Sequence, residues 1–140
     1  MTMPQIKPTI TFIIPVQNTQ DFIIEQINTI FKFSENYRGF CEILVASDEI
    51  ENARLKLAWT AMELNKITHP QVRTRMIRFA SKTNPSDLIQ TTISQSLGQK
   101  IVVATTSSEI LNARIDDITQ RDILFIDYAL DLNTLQDNLD

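Results

Sequence analysis

The chain alternates five times between short apolar runs and amphipathic stretches. The runs are four to eight residues long, and four of them are rich in isoleucine, valine or phenylalanine, as buried strands are, whereas the third also carries arginines. The stretches between them space their apolar residues three or four positions apart, as one face of an α-helix does. The predicted strands are residues 9–14, 42–46, 72–79, 101–104 and 122–127. Short connections between alternating strands and helices predict a largely parallel sheet with helices on both faces.

The predicted helices fill the segments between these strands. The first begins at Asn18, whose side chain can cap it, and ends near Ser34. The others cover residues 49–66, residues 84–97 with Gly98 directly after them, a segment from Ser107 or Ser108 to residue 118, and a short last helix with Leu132, Leu135 and Leu139. We expect one three-layer, Rossmann-like α/β domain over residues 1–140, with a mostly parallel sheet of five strands or slightly more. Residues 1–8 form an N-terminal extension and residues 128–140 a C-terminal tail.

Composition excludes several classes of protein. Twenty isoleucines and seven phenylalanines are too much apolar bulk for a disordered chain, yet no apolar run reaches the ~20 residues of a membrane span. The first residues lack the basic-then-apolar pattern of a signal peptide, so we expect a cytoplasmic protein. Cys41 is the one cysteine, so there is no internal disulfide, and no Cys/His cluster is present for zinc. Gly39 and Gly98 stand too far apart for a P-loop or a dinucleotide-binding glycine motif.

The charges are segregated along the chain. Between residues 54 and 82, seven basic residues accompany one acidic residue, Glu63, whereas from residue 109 onwards eight acidic residues accompany two basic ones. The pattern allows two solvated faces, or a surface that binds an anion or pairs head to tail with a second copy. Arg73, Arg75 and Arg78 favour an edge position for the third strand, with phosphate binding as the alternative. Few aromatic residues interleave with the basic ones, so the pattern does not predict nucleic-acid binding.

Three segments at the predicted strand ends carry further motifs. They read ITFIIPVQN at residues 10–18, EILVASD at residues 42–48 and SQSLGQKIVVATTS at residues 94–107. Together they resemble the family-2 nucleotide-sugar glycosyltransferases, whose first strand runs into Pro-Val-Tyr-Asn and whose second ends in Asp-Asp-Gly-Ser. In that family a helix ending in Ala-x-Gly then precedes a strand that closes on a metal-binding Asp-x-Asp. The resemblance covers about residues 10–127 and implies a glycosyltransferase A-type fold, a Rossmann-like sheet that holds a nucleotide diphosphate sugar.

The departures from that family fall on residues that its chemistry needs. The tyrosine becomes Gln17, the acidic pair becomes Ser47 and Asp48, and the Asp-x-Asp becomes Thr105-Thr106-Ser107. Hydroxyl groups are poor ligands for the Mn²⁺ or Mg²⁺ that would stabilise a leaving diphosphate. The family's acceptor-binding half and catalytic base would follow the last strand, where this sequence ends. We therefore expect no catalytic residue, no bound metal and no cofactor.

The resemblance places a weak nucleotide site at the carboxyl ends of the strands. The candidate nucleotide-binding residues are Pro15, Val16, Gln17, Asn18, Ser47 and Asp48, and neighbouring strand ends add Asn84, Thr105 and Ser107. A purely structural interpretation stays open at these positions. Asn18 and Asp48 are residue types that cap helices, and residues 105–108 suit a strand end followed by a helix cap.

Three hypotheses of function follow. The first is a non-catalytic glycosyltransferase-like domain that acts as an interaction or ligand-sensing module. The alternative is a minimal nucleotide-diphosphate-sugar transferase or nucleotide-binding protein that needs a partner chain, with Mn²⁺ or Mg²⁺ if it is an enzyme. The third is an unrelated α/β domain that shares only the strand–helix pattern.

The predicted helix over residues 49–66 carries two apolar stripes, one more than a helix that covers a sheet needs. The larger stripe is expected to face the sheet, and it consists of Ile50, Ala53, Leu57, Ala61 and Leu64. The second stripe, Leu55, Trp59 and Met62, would then be exposed and available as a homodimer interface. The alternative is that the segment from Val72 or the C-terminal tail covers it in the same chain.

Overall fold

The computed structural model describes residues 7–16, 23–49, 53–104, 121–126 and 132–139. The five strands are β1 (Ile10–Val16), β2 (Cys41–Ser47), β3 (Val72–Arg78), β4 (Lys100–Ala104) and β5 (Asp122–Ile126). The four described helices are α1 (Ile23–Ser34), α2 (Ala53–Thr68), α3 (Pro85–Gln95) and α4 (Leu132–Leu139). The predicted start of the first helix at Asn18 and the predicted helix before residue 118 lie outside the described residues.

The five strands form one parallel sheet in the order β3-β2-β1-β4-β5. This Rossmann-like α/β architecture confirms the predicted fold class. β1 is the central strand. It extends to Val16, two residues beyond the predicted end, although Pro15 has no backbone N–H to donate to a neighbouring strand. Within the described residues, β4 pairs with β1 from Ile10 to Ile13, and β2 pairs with β1 along its whole length to Val16.

The core has two apolar layers, because successive side chains of a strand point to opposite faces of the sheet. On one face, side chains such as Phe12, Ile43 and Val45 pack with α1, α2 and α4. On the other face, Ile13 and Leu44 pack against Leu88, Ile89 and Ile93 of α3. Helices therefore cover both faces of the sheet, as the sequence predicts.

The start of α3 is as predicted and its end is not. Asn84 caps the helix, since its Oδ1 accepts a hydrogen bond from the Asp87 N–H at 2.8 Å, and Pro85 occupies the first turn. The helix ends at Gln95 because Ser96 is extended. Leu97 therefore leaves the helical stripe and is 58% exposed, and Gly98 follows the last helical residue by three positions instead of directly.

The predicted orientation of α2 is wrong. Leu55 and Met62, expected at a dimer interface, are 2% and 0% exposed and lie in the core, and of that stripe only Trp59 is exposed. Leu57 and Leu64, expected against the sheet, are exposed. Both stripes are apolar, so their periodicity does not determine which one is buried. Leu55 and Met62 lie seven positions apart on one helical face and pack inward, and buried side chains cannot form a dimer surface.

The arginine-bearing strand β3 is at one edge of the sheet, as predicted, and β5 is at the other. None of the described helices is long and apolar enough to cross a membrane.

Candidate functional site

The strand order reverses between β1 and β4. From β1 the chain builds outward through β2 to β3, and then crosses to the other side of β1 to place β4 and β5. In a parallel sheet, such a reversal opens a crevice outside the carboxyl ends of the two strands. The carboxyl edge of this sheet, where β1 ends at Val16, β2 at Ser47 and β4 at Ala104, is therefore the candidate site.

Four of the predicted site residues meet at this edge. Pro15 is paired in register with Ala46, and Val16 with Ser47, so that Asp48 follows directly at the end of β2. Pro15, Val16, Ser47 and Asp48 are all buried. The Val16 side chain belongs to the core, and the Ser47 hydroxyl accepts a hydrogen bond from the Glu49 N–H at 3.0 Å. Gln17, Asn18, Thr105 and Ser107 lie outside the described residues, so their predicted roles stay predictions.

Asp48 is the buried charged group of the site. Its side chain is 2% exposed, and Oδ2 accepts a hydrogen bond from the Thr83 N–H at 3.0 Å. Oδ1 lies 3.9 Å from the Nζ of Lys82, whose own side chain is 74% exposed. The carboxylate thus lies between a backbone donor and an exposed ammonium group, both in the loop that follows β3.

The loop between β3 and α3 forms the wall of the site beside Asp48. It is anchored at its start, where the Phe79 N–H donates to the Ser47 carbonyl at 2.8 Å, and by Asp48 at Thr83. At its end, Asn84 both accepts from the Asp87 N–H and donates from Nδ2 to Asp87 Oδ2 at 2.7 Å. These contacts use both polar atoms of the Asn84 amide in the helix cap. Asn84 therefore fixes the loop and holds the start of α3.

The described side chains at this edge do not form a binding site for a divalent cation. Mg²⁺ and Mn²⁺ are held by several oxygen ligands, with carboxylates foremost. The described part of the chain has no group of three His, Cys, Asp or Glu side chains that could hold a metal ion. Asp48 has an ammonium group beside it, which competes with a cation for the carboxylate.

A second polar cluster lies toward the amino ends of the strands, and the sequence analysis did not predict it. Glu42 of β2 is 1% exposed, and its Oε1 accepts hydrogen bonds from Thr11 Oγ1 and from the Leu97 N–H, both at 2.9 Å. Arg73 Nε and Arg75 Nη2 lie 3.7 and 3.8 Å from Oε2. The signal was present as one acidic residue inside an apolar strand, with arginines on another predicted strand.

Arginine side chains at this amino edge donate hydrogen bonds to the carbonyl groups at and just after the end of α3. Arg75 donates to the Gln95 carbonyl, and Arg121 donates to the carbonyls of Ile93 and Gly98 at 2.7 and 2.9 Å. Cations are favourable at a helix C-terminus, where carbonyl groups lack helical partners. Through these contacts the cluster joins β1, β2 and β3 to the end of α3.

Neither Cys41 nor His69 contributes a reactive group to the candidate site. Burial raises the pKa of the Cys41 thiol to about 12, so the nucleophilic thiolate is absent at neutral pH. His69 lies at the end of α2, where Nε2 is 2.8 Å from Glu35 Oε1. This contact with Glu35 joins the end of α2 to the end of α1.

Comparison with known proteins gives two similar backbones. No protein-family model matches the sequence, and neither does any of the curated proteins compared with it. A mannosyltransferase from Pyrobaculum calidifontis, in complex with GDP-Man and Mn²⁺, is 16% identical with a TM-score of 0.48, over 66% of this chain and 26% of the mannosyltransferase chain. The universal stress protein from Archaeoglobus fulgidus, in complex with dAMP, is 10% identical with a TM-score of 0.47, over 84% of this chain and 97% of that chain. Neither likeness assigns a function.

Proposed function

We propose that this domain binds a nucleotide or nucleotide sugar at the carboxyl edge of its sheet and does not catalyse sugar transfer. The observation that carries the proposal is the position of Asp48, a buried carboxylate at the end of β2, beside the point where the strand order reverses. In Rossmann-like domains an acidic side chain in this part of the fold accepts hydrogen bonds from a ribose. The resemblance of residues 42–48 to a nucleotide-sugar glycosyltransferase strand points to the same end of the molecule.

The chemistry of the described groups suits the nucleoside part of such a ligand. An ionised carboxylate only accepts hydrogen bonds, so Asp48 would take up ribose hydroxyls or a nucleobase N–H. The exposed ammonium group of Lys82, 3.9 Å from Asp48 Oδ1, would bind a phosphate of the same ligand. Burial makes the carboxylate a stronger acceptor, because water does not compete for its oxygens.

The sequence of this chain does not support catalysis of sugar transfer. A leaving diphosphate develops charge that a cation or a row of backbone N–H groups must stabilise. Thr105-Thr106-Ser107 replaces the Asp-x-Asp of the resembled family, and two distant glycines build no phosphate loop. We therefore propose a ligand-sensing or interaction module that binds a nucleotide weakly. The alternative, a transferase completed by a partner chain, requires Mn²⁺-dependent binding.

Isothermal titration with UDP-, GDP- and dTDP-sugars, with and without MnCl₂, tests the proposal. We expect weak binding that MnCl₂ does not strengthen and that Asp48→Asn weakens by about tenfold, or about 1.4 kcal/mol. Glu63→Gln is the matched control, since it removes an exposed carboxylate of α2 and should leave binding unchanged. Circular dichroism checks that Asp48→Asn still folds after its contact with Thr83 changes.

Two results would overturn this proposal. Binding strengthened by Mn²⁺ to the micromolar range, with release of nucleoside diphosphate, would establish the transferase. No heat of binding at millimolar ligand would remove the nucleotide site altogether.

A further inference from the structure

The outer edge of β3 is open within the described part of the chain. β3 pairs in register with β2 from Val72 to Arg78, and no described segment pairs with its other side. Every second residue of such an edge presents unpaired backbone N–H and C=O groups to its surroundings. The edge can therefore accept a further strand.

A cleft of about 400 Å³ runs along this edge and is lined by Trp59, Thr74, Arg75, Met76 and Arg78. Thr74, Met76 and Arg78 alternate along the face of β3 that carries α2, whereas Arg75 points to the opposite face. Because residues from both faces line the cleft, it lies beside the strand and not above it. Trp59 of α2, 42% exposed, forms its wall.

The positive charge of the β3 edge determines which kind of strand can pair with it. The Arg73 side chain is 60% exposed, Arg78 is exposed, and Glu63 is the one acidic residue between positions 54 and 82. Glu42 compensates part of the charge of Arg73 and Arg75 from inside the sheet. Two copies of β3 would place arginines against arginines, and such like-charge contacts disfavour pairing. An acidic strand would meet the opposite charge.

We propose that the edge of β3 binds an extended acidic segment of a partner protein as a sixth strand of the sheet. Backbone hydrogen bonds would supply affinity, and alternate side chains would supply specificity. One set of partner side chains would be apolar and cover Trp59 and Met76, while the other set would be acidic and face Arg73 and Arg75. The chain's own C-terminal helix does not reach this edge, since α4 packs against α1 on the face of the sheet and Leu139 lies beside β4 and β5.

The test uses a fluorescein-labelled peptide of about eight residues, the length of a strand, that alternates Glu and Val. A Lys–Val peptide of the same length is its control. Trp59 is the one tryptophan of the chain, so its emission reports directly on the cleft. We expect the Glu–Val peptide to bind, to shift the Trp59 emission and to protect alternate backbone amides of β3 from hydrogen exchange.

Two variants with the same change of charge locate the binding. Arg73→Gln, which removes an exposed charge that faces the acidic partner side chains, should weaken binding of the Glu–Val peptide by about fivefold. Lys32→Gln, which removes an exposed charge on α1, should weaken it by less than about twofold. Trp59→Ala, followed by fluorescein anisotropy, should also weaken binding, and its exposed position leaves the fold intact.

Several outcomes would overturn the proposal. They are absence of peptide binding, equal binding of the Lys–Val peptide, and an equal effect of Arg73→Gln and Lys32→Gln. Sedimentation showing a dimer of the chain alone, with β3 amides protected, would make a second copy the occupant. A single-stranded RNA that displaces the peptide and gives no amide protection would make the face a nucleic-acid surface.

Discussion

Gly98 shows how one residue fixes the junction between α3 and β1. A Cβ atom at this position would lie 2.5 Å from both the N and the Oγ1 of Thr11 and 2.7 Å from the Lys100 carbonyl oxygen. The Gly98 N–H donates to Thr11 Oγ1 at 2.8 Å, and Thr11 donates in turn to Glu42. The position therefore requires a residue without a side chain, for reasons of space.

Gly98→Ala should destabilise the fold by about 1–3 kcal/mol, because the clash is with backbone atoms of the central strand. Urea unfolding measures the effect. Gln99→Ala, one residue further at an exposed position, should change the free energy of unfolding by less than about 0.5 kcal/mol. Equal stability of Gly98→Ala and the wild type would show that Thr11 and Lys100 can move apart without cost.

Cys41 provides a residue-scale test of the core. The side chain is 2% exposed, and burial raises its thiol pKa to about 12. We expect Ellman's reagent to leave the folded protein unlabelled at pH 8 and to label one thiol in urea, since both access and the thiolate are needed for reaction. Stoichiometric labelling of the folded chain within minutes would contradict the burial of β2.

The individual site residues were predictable only in part. The end of β2 at Ser47 and Asp48 follows from the local pattern, because a polar pair terminates an apolar run. The partner of Asp48, the Thr83 N–H, is 35 positions away and depends on how the loop after β3 turns back over the edge. Glu42 looked like part of an apolar strand, and its contacts with Leu97 and Arg75 arise only when the sheet is assembled.

At the scale of elements, the spacing of apolar residues in α2 does not determine which face of the helix is buried. Leu55, Ala58 and Met62 form the buried stripe, and Leu57 and Leu64 form an exposed one of similar apolar character. Which stripe faces inward depends on the rotation of the helix where it packs on α1 and β3. The strands had no such ambiguity, because β1 and β2 are buried on both faces.

α1 and α2 are joined at their C-terminal ends by His69. Its Nε2 contacts Glu35 Oε1 at 2.8 Å, and Nδ1 lies 3.0 Å from the Asn65 carbonyl oxygen. The hydrogen bond with Glu35 is the main reason that the pKa of His69 is raised above its usual value, with the Asn65 carbonyl and the Glu35 charge adding to it and burial opposing it. The protonated ring donates to both partners, so protonation strengthens the junction.

The stabilisation from this pair should therefore be complete below about pH 6.5 and be lost as the pH rises through the raised pKa of His69. Glu35 is about half exposed, so we expect about 0.5 kcal/mol. Urea unfolding at about pH 6 and about pH 8 should show this loss in the wild type and in Glu63→Gln, but not in Glu35→Gln. A loss of the same size in Glu35→Gln would assign the pH dependence to another group.

Glu42 joins β2 to β1, β3 and the end of α3. Glu42→Ala should destabilise the fold by about 3 kcal/mol, because it removes the acceptor of one buried and one partly buried hydrogen bond and leaves Arg75 without its counter-charge. Glu42→Gln should cost less, about 1–2 kcal/mol, since its amide oxygen can still accept from Thr11 and Leu97. Chemical unfolding compares the two with Glu63→Ala, an exposed control. A change below about 0.5 kcal/mol for Glu42→Ala would contradict the structural role of the cluster.

For the whole molecule, the alternation of strands and helices was enough to predict a parallel sheet between two layers of helices. The predicted strand ends lie within two residues of those observed. The arginines of β3 also indicated its place at an edge. The binding role of the carboxyl edge could not be derived in the same way. Strand order places the crevice, but a ligand is selected by side chains, and several of the candidates lie in the segments that follow β1 and β4.

The central claim is that a nucleotide binds at the carboxyl edge beside Asp48. Titrating ¹⁵N-labelled protein with UDP-, GDP- and dTDP-sugars without metal, and following the backbone amide resonances, tests it most directly. The account predicts that at least one of these ligands shifts the amides of Val16, Ser47, Asp48 and Thr83, while those of Leu97 and Gly98 at the amino edge stay in place. Unchanged amides at the carboxyl edge at millimolar ligand, or larger shifts at Leu97 and Gly98, would contradict it.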